Sequence, residues 1–420
     1  MAAARTVARG RGGGGGHRGG RIELVARGRG RGRPPARGAP TRGRPPARGR
    51  LPARGRLPAR GGLPARGGLP ARGRPTAAPP APPTQPTQTN QPTGVPIGRS
   101  RPSKPSTSNW EELFANVDPP ADVAPIKTEH EFLSLGLTIA KYDKWETYKP
   151  HRQIQKFKEK YGVIPKTCEL MWNAMRVTPE CKLPENAKPE DFLLGMRFVF
   201  GYETEGDLGS FFSIKSEKTV RDRYRVWVVR IRLLLAAKLG KFSDIDNELI
   251  FIFSIDGTHC PTWEPRPFST EWSSHKCGKK PAVNYELAIR LDVPQLMWVH
   301  GPTRPGKDND LDVFRMKLRQ KMIDELPGRR IIGDKGYKGE PDIISTFNEF
   351  DTREIWEFKD RAQARHETFN QRLKCYKILE HKFRHGVENH RMAFEACCAI
   401  VCYQIESGGT SLFDPYPLTS

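Results

Sequence analysis

Nearly all of the net charge of this chain lies at its N-terminal end, and this separation constrains what the chain can fold into. Residues 1–109 contain 22 Arg and one Lys against a single acid, Glu23, and carry +22 of the formal net charge of +23. They also hold 22 of the 40 Gly and 19 of the 38 Pro. Such a segment cannot bury enough apolar surface to offset the entropy lost on ordering. We therefore predict a disordered basic arm over residues 1–108, followed by a near-neutral folded part.

Composition excludes several classes of protein. The longest apolar runs, residues 226–239 and 393–405, are too short for a bilayer span or are interrupted by Arg230 and Arg232. The N-terminus is basic but lacks the apolar core of a secretion signal. All eight Cys lie in the folded part, which is large enough to be stable without disulfides. We expect an intracellular protein without membrane contact, and the basic arm favours a nucleic acid or an acidic protein as its partner.

The arm contains three copies of Arg-Gly-Arg-Pro, which resemble the core of the AT-hook. Their arginines are Arg31, Arg33, Arg42, Arg44, Arg72 and Arg74. In A·T-rich DNA, glycine allows the backbone to enter the narrow minor groove, and arginines follow its negative potential. Two other interpretations stay open. The arm binds any polyanion by counterion release, or it binds RNA, because Arg11-Gly12-Gly13 resembles an RGG box. Residues 76–108, rich in Pro, Thr and Gln, are expected to form a linker.

Residues 109–245 have a helical pattern that contains a helix-turn-helix-like segment. An apolar helix face ends at Phe212, residues 213–215 form a turn, and Ser216 is a good N-cap for a second helix. That helix places Val220, Tyr224 and Trp227 on its inner side. Its predicted DNA-binding residues are Lys218, Arg221 and Arg225. Such a basic second helix is typical of a major-groove reader, but an ordinary pair of helices with solvated arginines has the same pattern.

Residues 246–408 change from a helical to a mixed α/β pattern, and residues 409–420 form a tail. Strands are predicted at residues 249–255, 283–291, 296–299 and 330–333, and helices at 310–326, 361–377 and 388–405. The first strand is an apolar run typical of a strand buried on both faces. In the helix at 310–326, Leu311, Phe314, Leu318 and Ile323 are spaced for one buried face. This order of elements predicts a mixed sheet flanked by helices, as in a ribonuclease-H-like domain.

Two of the buried strands are each followed by an aspartate, Asp256 and Asp334. A buried carboxylate needs a hydrogen bond, a charge partner or a metal ion. If the two strands are neighbours, both acids emerge at the same edge and repel each other unless divalent cations neutralise them. Glu367 completes a set of three carboxylates suited to Mg²⁺ or Mn²⁺. Helical spacing places Gln363, Glu367, Asn370 and Lys374 on one face, and we expect Asn370 and Lys374 to contact the DNA backbone.

The folded part resembles the endonuclease domain of PIF/Harbinger-type DDE transposases over residues 249–408. The matching strings are Ser254-Ile255-Asp256-Gly257-Thr258-His259, Lys276-Cys277-Gly278-Lys279-Lys280, Gly333-Asp334-Lys335-Gly336-Tyr337 and Arg365-His366-Glu367-Thr368-Phe369-Asn370. The resemblance implies that Asp256, Asp334 and Glu367 are the catalytic, metal-binding DDE triad. We also expect Lys279 and Lys280 to bind DNA. Asn309 stands where many relatives have His, which leaves the role of Asp310 open, and His385 is expected to face a phosphate or the core.

The sequence thus predicts a metal-dependent DNA endonuclease that hydrolyses phosphodiester bonds at transposon ends, with strand transfer as a further step implied by the resemblance. The alternative is a catalytically inactive, transposase-derived DNA-binding protein. Retention of all three acids argues against this alternative, since packed acids that repel phosphate give a binding protein no advantage. A nuclear location follows from the substrate. Many relatives act with a Myb-like partner protein, and such a partner and a homo-oligomer are both compatible with the sequence.

The distribution of charge predicts how the arm and the folded part share DNA binding. Each phosphate neutralised on duplex DNA steepens the log–log salt dependence of binding by about 0.9. Deleting residues 1–108 should therefore flatten this dependence by several units. Replacing Arg33, Arg44 and Arg74 by Lys keeps the charge but should reduce any preference for A·T over G·C duplexes. Both effects are measured by titrating labelled duplexes at several salt concentrations. A preference that survives the triple replacement would show that the arm acts only through its charge.

Overall fold

The computed structural model describes residues 109–118, 122–246, 248–265, 267 and 269–408. The predicted basic arm with its three Arg-Gly-Arg-Pro copies and the tail at residues 409–420 lie outside the described residues. Within the described ranges, no helix combines the length and the apolar character that a bilayer span requires.

The first part of the described chain is helical. Its helices are α1 (Trp110–Ala115), α2 (Glu129–Ile139), α3 (Pro150–Tyr161), α4 (Pro165–Val177), α5 (Pro189–Gly201), α6 (Glu205–Phe212) and α7 (Glu217–Leu233). Helices α3, α4 and α5 each begin with proline, whose fixed φ suits the first turn and whose missing N–H is not needed there. As predicted, the hydroxyl of Ser216 caps α7 by accepting a hydrogen bond from the amide of Thr219.

Aromatic side chains fill the core of this helical part. The rings of Trp172 and Trp227 stack with their centroids 5.8 Å apart, and Phe192 packs edge-on against both. Val220, Tyr224 and Trp227 on α7 are buried, in agreement with the predicted inner side of this helix.

The second part contains a mixed six-stranded sheet. Its strands are β1 (Phe251–Pro261), β2 (Ser273–Ser274), β3 (Lys280–Arg290), β4 (Leu296–Thr303), β5 (Arg330–Gly333) and β6 (Ile344–Ser345). The order is β2-β3-β1-β5-β6, and β4 also pairs with β3. Strand β3 is antiparallel to β1 and to β4, whereas β5 is parallel to β1 and to β6. Strand β1 is buried along nearly its whole length, as its apolar sequence predicted.

Helices cover both faces of the sheet. They are α8 (Asp310–Lys317), α9 (Arg319–Glu325), α10 (Arg353–Lys374), α11 (Lys377–Glu380) and α12 (Val387–Glu406). Phe314 and Met322 of α8 and α9 pack with Phe253 and Ile255 on one face. On the other face α10 lies against β1 and β5, and α12 lies against β4. The prediction of a mixed sheet flanked by helices is therefore confirmed. Helix α12 also packs on α4 and α7, so the two parts of the chain share one apolar core.

Several predicted element boundaries are wrong, and three elements differ most from their predicted extents. Strand β1 continues to Pro261 instead of ending before Asp256, because its antiparallel partner β3 extends past the end of β5. Helix α10 begins at Arg353, earlier than predicted, because Thr352 provides an N-cap, and it ends at Lys374, three residues before the predicted end. The predicted helix at 310–326 is two helices, broken at Leu318.

The predicted buried face of this segment is right for Phe314 and Leu318 and wrong for Ile323. Phe314, Leu318 and Met322, spaced four apart, belong to the apolar cluster that also contains Phe253 and Ile255 of β1. Ile323 is 41% exposed. At about 100° per residue it lies about 180° around a helix from Phe314, so helical spacing places it on the opposite side.

Glycine at position 195 is required by the close approach of α5 and α7. A Cβ atom there would lie 2.7 Å from Cβ of Trp227, which cannot move without shifting its helix. We expect Gly195→Ala to lower the free energy of unfolding by about 1–3 kcal/mol. In the control Gly206→Ala, the nearest atom is the Glu217 carboxylate at 3.4 Å. This variant should be neutral or more stable by up to about 1 kcal/mol, because alanine favours helix. Urea unfolding followed by tryptophan fluorescence measures both, and equal effects would contradict the packing argument.

Candidate active site

The two predicted catalytic aspartates lie side by side at one edge of the sheet. The parallel pairing of β1 with β5 ends at Ile255 and Gly333, and the next residues on the two strands are Asp256 and Asp334. Asp334 then starts a short turn in which its carboxylate accepts a hydrogen bond from the amide of Gly336 at 2.7 Å. The expectation that the two strands are neighbours is thus confirmed by the topology, although Asp256 lies within its strand and not at its end.

Glu367 of α10 faces the same cavity as these two aspartates. The cavity has a volume of about 210 Å³ and is lined by Ser254, Ile255, Asp256, Lys276, Asp334, Gln363, His366 and Glu367. Residues from two strands, a long helix and the loop before β3 therefore converge here. The structure brings together all three residues of the predicted triad.

Asp256 is held by neutral donors and by one cation. Its carboxylate accepts hydrogen bonds from the amide of Gly257 at 2.7 Å and from the side chain of Asn370 at 3.1 Å. Burial raises the pKa of Asp256, the Lys276 ammonium lowers it, and the charge of Asp334 raises it again. The net shift is upward, so the positive charge around Asp256 does not fully compensate the negative charge and the lost water.

Lys276 is a site residue that the sequence analysis did not single out. Its ammonium lies 3.9 Å from Oδ1 of Asp256 and donates a hydrogen bond to the carbonyl of Gly257 at 3.1 Å. The string Lys276-Cys277-Gly278-Lys279-Lys280 drew attention to this loop, but nothing in it distinguishes the first lysine from the last two. Only the fold shows that Lys276 lines the cavity and reaches Asp256, whereas Lys279 and Lys280 are not part of the cavity lining.

Asp310 is a fourth carboxylate of the same cluster. Its Oδ1 accepts a hydrogen bond from Asn284 at 3.3 Å and lies only 2.9 Å from where a Cβ of Gly257 would be. Burial raises the pKa of Asp310, and the charges of Asp256 and Asp334 raise it further against the opposing effect of Lys276. Asn309, the departure from the family pattern, is the N-cap of α8 and accepts a hydrogen bond from the amide of Asp312.

Glu286 lies behind the cluster and was also missed. It is 1% exposed, and its carboxyl accepts a hydrogen bond from the hydroxyl of Tyr337 at 2.7 Å. Burial raises the pKa of Glu286 to about 8, and the charges of Asp310 and Asp256 add to the shift. The sequence does contain a pattern that indicates Glu286. Asn284 and Glu286 are polar residues two apart in an otherwise apolar strand, so both side chains lie on one face of β3, the face toward the cluster.

The donor set fits a hard divalent cation in its chemistry. Every acid of the cluster offers oxygen, the type of ligand that Mg²⁺ and Mn²⁺ prefer. Two buried oxygen acceptors close by, Oδ1 of Asn284 and Oδ1 of Asn370, have no hydrogen-bond donor among the described atoms. However, no three His, Cys, Asp or Glu side chains in the described part of the chain are arranged around a single point as ligands of one ion. The side chains would have to rotate to bind it together.

The other predicted site residues fall into two groups. Lys374 is exposed and close enough to Asp256 for its charge to lower the pKa of that carboxyl. Asn370 is buried and bound to Asp256, so its evident function here is to position this carboxylate. On α7, Lys218 is exposed, Arg225 is partly buried and Arg221 pairs with Glu205 of α6 at 3.4 Å. Contact of these residues with DNA stays a prediction.

His385 lies in the aromatic core, which is one of its two predicted environments. Its ring lies among Trp110, Phe198, Tyr202 and Phe383, with centroids 5.5–5.8 Å apart. Burial lowers its pKa to about 3, so the imidazole is neutral. A neutral ring enclosed by aromatic side chains is not placed to bind a phosphate.

Residues 255–401 match the family described as DDE superfamily endonuclease. The matched stretch begins one residue before Asp256, includes Asp310, Asp334 and Glu367, and ends within α12. The comparisons with curated proteins and with solved structures give no significant match.

The raised pKa of Glu286 predicts a pH dependence of stability. The folded protein retains the proton of this carboxyl up to a pH of about 8, whereas the unfolded chain loses it near 4.5. The stability contributed by this group is therefore fully present below about pH 4.5 and is lost as the pH rises through about 8. Glu286→Gln removes the titration, so its stability relative to the unmodified chain should increase from pH 5 to pH 9.

This prediction is checked by urea unfolding in a chelator at several pH values. Glu325→Gln, an exposed substitution on α9, is the control, and its stability relative to the unmodified chain should not change with pH in this way. A constant difference between Glu286→Gln and the unmodified chain would mean that Glu286 is ionised in the folded protein at neutral pH.

Proposed function

We propose that this chain is a divalent-metal-dependent DNA endonuclease of the DDE transposase type. The observation that carries the proposal is the convergence of Asp256, Asp334 and Glu367 on one cavity within the stretch that matches the endonuclease family. The finer features predicted from the sequence belong to the same proposal. They are a ribonuclease-H-like catalytic domain, the PIF/Harbinger subtype, action at transposon ends, and a nuclear location.

Asp256, Asp334 and Glu367 are the proposed ligands of Mg²⁺ or Mn²⁺, with Asp310 as a further carboxylate in reach of the same cluster. Such ions, when bound, would activate a water molecule and stabilise the attacking and leaving oxygens of the displacement at phosphorus. The raised pKa values of Asp256 and Asp310 imply that protons compete with the cation for these oxygens. Asn370 and the amide of Gly257 hold the Asp256 carboxylate in orientation.

The protein's own cations attract and orient the substrate. Lys276 lies inside the cavity, Lys374 lies close to Asp256, and Lys279 and Lys280 are exposed on the loop that carries Lys276. Their charges offset the repulsion between a DNA phosphate and the acidic cluster. On this proposal the lysines bring the phosphodiester to the carboxylates, while most of the non-specific affinity comes from the basic arm.

The pair α6 and α7 supports a further part of the proposal, namely DNA recognition by a helix-turn-helix. Four residues, from Ser213 to the N-cap Ser216, separate the helices, and α7 carries Lys218, Arg221 and Arg225 on a helix whose inner side is buried. Because Arg221 pairs with Glu205, it has to leave this ion pair to reach a base edge or a phosphate. A Myb-like partner protein or a second copy of the chain would add to the choice of site.

The proposal predicts metal-dependent cleavage that fails when any triad acid is neutralised. We expect supercoiled plasmid carrying the sequences that flank the gene to be nicked in Mg²⁺ or Mn²⁺ and not in a chelator. Asp256→Asn, Asp334→Asn and Glu367→Gln should each lower the rate on the order of 10³-fold or more, because the ligands act together. Glu357→Gln is the matched control, because Glu357 is exposed on α10 and does not line the cavity, and this variant should cleave normally.

Two results would contradict this function. Cleavage that persists in all three triad variants would assign the activity to other residues or to a contaminant. No nicking in Mn²⁺, together with the absence of terminal inverted repeats around the gene and with intact DNA binding, would favour the alternative of an inactive transposase-derived DNA-binding protein.

A further inference from the structure

A second, larger cleft begins one residue after Asp334. Its volume is about 820 Å³, and it lies between the turn after β5, strand β6 and the first turn of α10. The lining residues that bear on its chemistry are Arg330, Lys335, Lys338, Phe347, Glu349 and Trp356. We call it the aromatic cleft. Since Asp334 lines the triad cavity and Lys335 lines the aromatic cleft, the two are contiguous along the chain.

Two aromatic side chains give the cleft an apolar surface that is open to solvent. Trp356 is 48% exposed, and its ring lies 5.6 Å from that of Phe347 at an angle of 57°. Neither residue belongs to the apolar cores of the described chain. An exposed tryptophan in a concave site is a common feature of surfaces that bind a planar ligand.

The rim of the cleft is positively charged. Lys335 and Lys338 are exposed, and in the described part of the chain neither ammonium lies within ion-pair distance of a carboxylate. Arg330 adds a third cation, whereas Glu349 is an acid on the same lining. The acid Glu340, next to Gly339, is already paired with Arg315 and Arg319. Cations beside an open aromatic platform are the combination that binds the phosphates and bases of single-stranded nucleic acid.

We propose that the aromatic cleft binds an unpaired nucleotide of the DNA strand beside the cleavage site, with its base against Trp356 and its phosphate near Lys335 and Lys338. The inference rests on the proposed function, which supplies DNA as the substrate. A strand whose phosphate lies at the triad cavity passes Lys335 next, so an adjoining nucleotide reaches the cleft. A base stacks on a side chain only after it leaves its partner. The site therefore favours DNA that is unpaired, or easily unpaired, next to the cut.

The contact is tested by photocrosslinking of the full chain in a chelator, so that no cleavage is required. Duplexes carry 5-iododeoxyuridine at one position, either paired or opposite a gap. We expect crosslinks to Trp356 or Phe347 at one or two positions beside the cleavage site, stronger when the base is unpaired. Phe350 is 84% exposed but does not line the cleft, so crosslinks to Phe350 in place of Trp356 would overturn the proposal.

The contribution of base stacking on Trp356 to binding is measured as a ratio of two affinities. The contribution of the basic arm is the same in both affinities and therefore drops out of the ratio. For each protein, the affinity for the duplex with an unpaired base is divided by the affinity for the fully paired duplex. Stacking of one base makes Trp356→Ala lower this ratio by about 5- to 150-fold. Lys335→Gln combined with Lys338→Gln should weaken binding of both duplexes. Ile355→Ala is the matched control, because Ile355 is 44% exposed, adjacent in sequence and outside the cleft. An equal ratio in Trp356→Ala and Ile355→Ala would overturn the proposal.

The outcomes separate this inference from the endonuclease proposal. Asp256→Asn and Glu367→Gln should retain the crosslink to Trp356 while they lose cleavage. A crosslink without cleavage in any metal would leave the nucleotide site in place and contradict the endonuclease. Cleavage without a crosslink at the cleft would support the endonuclease and overturn the nucleotide site. Concentration-dependent self-association that Trp356→Ala abolishes, without a crosslink, would identify the cleft as a contact between copies of the chain and overturn its assignment to DNA.

Discussion

The parallel pairing of β1 with β5, and the point at which it stops, determine most of what is particular to this structure. Asp256 and Asp334 follow the last paired residues, so two carboxylates lie together where the sheet loses one row of backbone hydrogen bonds. Asp310 approaches the same place across the side-chain-free Gly257. Carboxylates this close repel each other and have lost much of their water, which destabilises their ionised forms. The neighbouring residues partly offset this destabilisation. Lys276 supplies a cation, Asn370 and backbone amides supply donors, and Glu286 retains its proton at neutral pH.

The neighbouring residues do not fully neutralise the acidic cluster. This remaining negative charge affects both the stability of the fold and its proposed chemistry. The pKa values of Asp256 and Asp310 are raised, and two buried amide oxygens nearby, those of Asn284 and Asn370, have no donor among the described atoms. An acidic cluster that its own residues leave under-neutralised binds a cation with a gain that a fully paired cluster would not have. In the proposed endonuclease, the acids that weaken the metal-free fold are those that bind the metal.

The helices connect this cluster to the rest of the chain. Helix α10 carries Glu367 and Asn370 and packs on α12. Helix α12 packs in turn on α7, the basic second helix of the α6–α7 pair. Arg232 of α7 forms ion pairs with Glu395 of α12 and with Glu111 of α1. Because this packing is continuous, α7 is fixed with respect to the triad cavity.

The sequence by itself determined the features that depend on local patterns. The apolar run before Asp256 predicted a buried strand, Ser216 predicted the start of α7, and the ordered strings around Asp256, Asp334 and Glu367 predicted three acids that the fold places at one cavity. The tertiary structure alone decided which further side chains reach the triad. Lys276, Glu286 and Asp310 come from a loop, a central strand and a helix start that are distant in sequence, and only strand register brings them to one place. Strand register also extended β1 to Pro261, because this extent depends on the partner strand β3, which a local pattern does not contain.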